Sequence, residues 1–125
     1  MLLERAGRWK STGLRGVRFR TLHADRRANR RTIVLKMDPG SELPDHDHAG
    51  VEEVYMVSGD LAVGDTVLGP GDYFRAAAGA KHGIPRTTSG CVCIVISDYV
   101  PFPAVSWVGF AWTALRGLFR RSPRM

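Results

Sequence analysis

Between Gly40 and Gly59 the chain places two histidines and a glutamate within seven positions, in the order His46, Asp47, His48, Ala49, Gly50, Val51, Glu52. No other stretch limits the fold as much. Side chains alternate across a strand, so His46 and His48 present both imidazoles to one side when Asp47 points to the other. Ala49 and Gly50 supply a tight turn, and the run from Glu52 to Val57 alternates as the next strand, with Glu52 at its start. Imidazole with carboxylate suits zinc, iron, manganese, nickel or cobalt, and no thiolate is needed.

A further donor has one clear source. The chain has four histidines. His82 follows a short strand at residues 73–76 and a turn containing Gly79, which predicts a position at a strand start or rim. His46, His48, Glu52 and His82 therefore form a candidate three-histidine, one-glutamate set for one divalent metal ion. His23 lies outside this pattern and is read as structural. Glu53, adjacent to Glu52 on an alternating strand, is expected to point outward.

The rest of the chain reads as short strands between glycine and proline turns, which predicts an all-β sandwich or barrel. Residues 17–22 and 31–37 form two strands joined by a polar turn at 24–29. Arg26, Arg27, Arg30 and Arg31, in and beside that turn, are read as solvated charges. Residues 61–68 form a hairpin around Gly64-Asp65, and 91–96 is an apolar run of strand length. Cys91 and Cys93 share a face of that strand as a reduced pair filling the core, since their spacing does not favour a disulfide.

The whole pattern from Gly40 to His82 resembles the cupin double motif. Gly40, His46, His48, Glu52 and Gly59 fit the first half, and Gly71, Gly79 and His82 fit the second. Ala77 stands where that motif has proline, and Arg86 where it has asparagine. The flanks are similar to the ChrR-like group, named for the cupin half of a zinc-containing anti-sigma factor. Trp9, Gly16-Val17 and Leu22, the run from Pro39 to Glu53, and Ser89-Gly90-Cys91 carry that similarity. The resemblance implies a double-stranded β-helix, the jelly-roll barrel of cupins, with the metal at its mouth. Those anti-sigma factors carry a sigma-contacting segment before the cupin; with so little of this sequence preceding Trp9, that segment is expected to be absent here.

Charge is unevenly spread. Residues 1–36 hold eleven Lys or Arg against two acids, residues 37–115 three against ten, and residues 116–125 four arginines with no acid. Basic ends can meet nucleic acid, anionic membranes or acidic partners. Without interleaved aromatics or a helix-turn-helix pattern, no nucleic-acid partner is expected. The first residues contain no apolar stretch of signal-peptide length, so a cytoplasmic location is expected.

By length the chain is one domain, divided into an arm at 1–8, the barrel at 9–100 and an apolar, basic tail at 101–125. No charge falls between Asp98 and Arg116. Val105, Val108, Trp112, Leu115 and Phe119 recur at helical spacing, which predicts a short C-terminal helix from about residue 104. The segment is too short to span a bilayer. Packing on its own barrel or across a homodimer is the first expectation for it, peripheral membrane contact, with Arg120 and Arg121 toward lipid phosphates, is the second, and docking on another protein is the third.

Two functions follow from the resemblance. The first is a small metal-binding cupin that senses or binds a small molecule, with zinc, iron or manganese as its ion. The alternative is a metal-dependent dioxygenase acting on a small ketone or diketone. No catalytic acid or base stands out at a fixed spacing. Tyr73, Arg75 and Arg86 are the polar pocket candidates near the second motif.

Overall fold

The structure is a computed structural model that describes residues 1, 3, 5, 7–44, 50–80 and 83–98. Eight strands follow one another: β1 (Lys10–Ser11), β2 (Val17–Asp25), β3 (Arg30–Met37), β4 (Glu52–Gly59), β5 (Leu61–Val63), β6 (Thr66–Leu68), β7 (Tyr73–Ala76) and β8 (Cys91–Asp98). Six form one antiparallel sheet in the order β1-β2-β3-β8-β4-β7, and β5 and β6 form a second. The described residues contain no helix, and the expected C-terminal helix lies outside them.

Period-two burial fixes which face is inside. Val17 and Phe19 of β2, Ile33, Leu35 and Met37 of β3, Val54 and Met56 of β4, and Cys91, Cys93 and Val95 of β8 are all buried. They join Leu61, Val63 and Leu68 of the small sheet in one cluster, so the small sheet packs on the inner face of the large one. Each fully buried side chain of this size contributes about 1.5–3 kcal/mol relative to exposure. On the outer face the Arg20 guanidinium lies 4.6 Å from the Trp9 ring centroid, a cation–π contact at the β1 edge.

The first turn is shorter than its composition suggested. A register shift between Thr21 and His23 lets β2 run on to Asp25, which pairs with Arg30. Only residues 26–29 remain to turn the chain. Asn29 takes φ 54° there, and the Asp25 carboxylate accepts a hydrogen bond from the Ala28 amide. Arg30 thus joins the strand expected to begin at Arg31. Arg31 is only 8% exposed and shares the inward face with Ile33, Leu35 and Met37, which corrects its reading as a solvated charge.

Candidate metal centre

Glu52 begins β4 on the same face as buried Val54 and Met56, and so points to the interior. Its cross-strand neighbours are small. Ala76 of β7 is registered directly opposite, and the pairing of Glu53 with Ile96 continues to set Glu52 against Ser97 of β8. The charge of Glu52 also reaches the interior thiol of Cys93. That thiol is pushed well above the usual range, first by its hydrogen bond with Cys91, then by burial and the charges of Cys91 and Glu52.

His46, His48 and His82 lie outside the described residues, but the segments next to them are adjacent. The Leu43 amide donates to the Pro85 carbonyl at 2.8 Å, and the Thr87 amide to the Ser41 carbonyl at 3.1 Å. Glu42 bridges to Arg86, and Arg86 in turn exchanges backbone hydrogen bonds of 2.7 and 3.0 Å with Ala62 of β5. Residues 41–43 and 85–87 therefore extend the small sheet as two further antiparallel lines. His46 follows the first line by three residues, and His82 precedes Pro85 by three. Among the described residues no group of three or more His, Cys, Asp or Glu could hold a metal ion.

The second end of the His46–His48 segment is also tied down. Arg30 Nη1 donates to the Val51 carbonyl at 2.8 Å and meets Asp98 at 3.3 Å. Its Nη2 lies 4.0 Å from Glu53, which faces outward and accepts a 2.6 Å hydrogen bond from the Tyr73 hydroxyl. That bond to a carboxylate raises the Tyr73 pKa.

Tyr73 and Arg75 sit against Tyr55 and Glu53 of β4, on the face opposite Glu52. Both are exposed, so they do not share the inward face expected of pocket residues. Arg86 has an exposed side chain and contributes its backbone to the small sheet. His23 is exposed on β2, separated from β4 by two strands. Arg31 is the inward polar residue that the sequence reading missed. Its phase with Ile33, Leu35 and Met37 was the signal that could have found it.

The motif glycines have a conformational reason. Gly40, Gly59, Gly71 and Gly79 all take φ between 75° and 86°, a left-handed region in which a β-carbon is strained. At Gly59 a β-carbon would also overlap the Gly90 carbonyl oxygen, so the end of β4 and the approach to β8 touch through bare backbone. Beside this contact Asp60 holds the turn before β8. It accepts from the Thr88 and Ser89 amides at 2.9 and 2.8 Å and from the Ser89 hydroxyl.

A family model described as the ChrR Cupin-like domain matches residues 4–101. Among solved structures, the chain is similar to one from the Rhodobacter sphaeroides SigE complex with the anti-sigma ChrR, at 27% identity and a TM-score of 0.64. That match covers 73% of this chain and 48% of the other, so this chain spans about half its length. A putative acetylacetone dioxygenase from Methylibium petroleiphilum is similar at 18% identity and a TM-score of 0.67, covering 76% of each chain. An acetylacetone dioxygenase from Acinetobacter johnsonii is similar at 20% identity and a TM-score of 0.62, covering 66% of this chain and 60% of the other. The likeness to the two dioxygenases extends to the fold. No curated protein matches the chain.

Proposed function

The chain belongs to the ChrR cupin-like family, and on that footing we propose that it is a small metal-binding protein whose His46, His48, Glu52 and His82 hold one divalent ion and present it to a small ligand. The observation that carries this reading is the Leu43–Pro85 hydrogen bond, which joins the two segments next to the histidines, in a sheet packed over the face to which Glu52 turns. Zinc, iron and manganese all suit such donors. A bound ion would supply Lewis acidity toward a carbonyl or carboxylate oxygen. The protein's own part is to hold together the segments that flank the histidines, to present Glu52 from β4, and to line the interior with Val54, Met56, Cys93 and Val95, which limit the entry of water.

The second reading is a dioxygenase of small ketones or diketones. It is favoured by the likeness to the two structures named as acetylacetone dioxygenases. One experiment addresses both. Metal content is measured in protein purified without chelators, beside His46→Ala, His82→Ala and, as a control, His23→Ala. Near-stoichiometric metal in the wild type and in His23→Ala, with at least about tenfold less in the other two, is the expected result. Equal metal in all four proteins would overturn the ligand assignment. Iron accompanied by oxygen uptake on pentane-2,4-dione would select the dioxygenase; zinc without uptake would select binding or sensing.

A further inference from the structure

From Cys91 to Ile96 β8 has no polar side. Cys91, Cys93 and Val95 fill the core, and Val92, Ile94 and Ile96 occupy the opposite, outer face. Apolar residues on both faces are the pattern of a strand covered on both. The small sheet covers the inner face, and among the described residues no layer covers the outer one. On that outer face Ile94 pairs with Val34 of β3 on one side and with Tyr55 of β4 on the other, and Tyr55 pairs with Tyr73 of β7. This row crosses four strands, about 14 Å. Tyr55 and Tyr73 in it are 47% and 55% exposed, and Val92 and Ile96 widen it along β8. Charge stands around the patch, at the neighbouring outer positions Arg20, Lys36, Glu53 and Arg75.

The sequence carries a cover for this patch. Twenty-seven residues follow Asp98, and none of them before Arg116 is charged. At the helical period Val105, Val108, Trp112, Leu115 and Phe119 fall on one side, and Trp107, Phe110 and Leu118 on the other. A helix over 104–119 is about 24 Å long, close to the length of about 26 Å for the eight residues of β8. Residues 99–103, extended by Pro101 and Pro103, reach up to about 17 Å. That is enough to rise to the spacing of about 10 Å at which layers pack. We infer that 104–119 folds back from the end of β8 and lays its Val105, Val108, Trp112, Leu115 and Phe119 side on the outer face of its own chain's large sheet. Trp107, Phe110 and Leu118 are then left for contact with a second copy. An uncharged segment thus meets an apolar patch ringed by charge, and each buries what the other exposes. This inference does not depend on the metal site.

The test uses the full chain with Trp9→Phe and Trp107→Phe, which leaves Trp112 as the one indole. Quenching of its fluorescence by acrylamide is measured in this parent, in Ile94→Asp, and in Val67→Asp as a control exposed on the small sheet. The expected result is a shielded Trp112 in the parent and in Val67→Asp, with shielding lost in Ile94→Asp to the level of the urea-unfolded chain. An open Trp112 in the parent, or equal shielding in all three proteins, would overturn the inference. Shielding that arises only with phosphatidylglycerol vesicles would overturn it too, by giving the tail to a lipid surface. If Ile94→Asp does not fold, Tyr55→Asp, at an exposed member of the same row, is read in the same way. A cross-link separates docking on the same chain from docking on a second copy. Ser58→Cys, opposite Val92 on the outer face, and Ala111→Cys are combined in one chain and treated with a bismaleimide, the native thiols being buried. A linked product with the mass of one chain supports the inference, whereas linkage between two chains, or none, overturns it.

Discussion

The Asp60 carboxylate accepts from the Thr88 and Ser89 amides and from the Ser89 hydroxyl, and these bonds favour its charged form. Its pKa is lowered from 3.8 to about 2. A carboxyl depressed by folding contributes stability that is fully present above the unfolded value and is lost as pH falls through the folded one. Asp60 thus stabilises the turn before β8 at neutral pH, and that contribution disappears between about pH 4 and pH 2. Urea midpoints should be lower for Asp60→Asn than for the wild type at pH 7, with the gap closing toward pH 2; a gap independent of pH would contradict this role. At this scale the motif residues were legible, because Gly40, Gly59, Gly71 and Gly79 stand where the backbone turns left-handed. Asp60 was not, because its partners lie 28 and 29 residues away in sequence.

Within β8, Cys91 and Cys93 face the core at 4% and 1% exposure, as free thiols. Their alternation with half-buried Val92 and Ile94 could be read from the sequence, as could the alternation of β3 and β4. Burial removes the thiols from reagents in solution, so neither should react with a disulfide reagent until the sheet opens. Titration in the native state and again in denaturant should count about zero and then two; rapid native reaction would show that β8 frays. The β7 sequence, Tyr-Phe-Arg-Ala, carries an aromatic on each face and so no signal of which one is inward. Period two fixed that Tyr73 and Arg75 act together, but only the pairing with β4 could show that their side was the outer one. For the same reason the adjacent arginines Arg30 and Arg31 both read as solvated charges. Once the register shift extends β2 and β3, Arg30 faces Asp98 on the outside and Arg31 faces the core.

For the molecule as a whole, an all-β fold was legible from the spacing of its turns, and cupin architecture from a motif that combines glycine geometry with donor chemistry. The two-residue β1 and the lines at 41–43 and 85–87 were not, because segments this short have no periodicity to detect. No helix among the described residues is long and apolar enough to cross a membrane. We further propose that the apolar stretch at 104–119 joins two copies of the chain. Light scattering should then give a dimer for the full chain, and a monomer or insoluble protein after removal of residues 104–125; an unchanged soluble dimer would exclude that role. The strand order has a separate consequence. β8, last of the described strands in sequence, lies between β3 and β4 in the centre of the large sheet. A nascent chain leaving the ribosome therefore releases β2–β3 and β4–β7 first, each with an open hydrogen-bonding edge and an apolar face, and no local pairing can cover them. Until residues 91–98 emerge, those edges and faces stay open to wrong pairing, and the central strand is the last part of the described sheet to be translated.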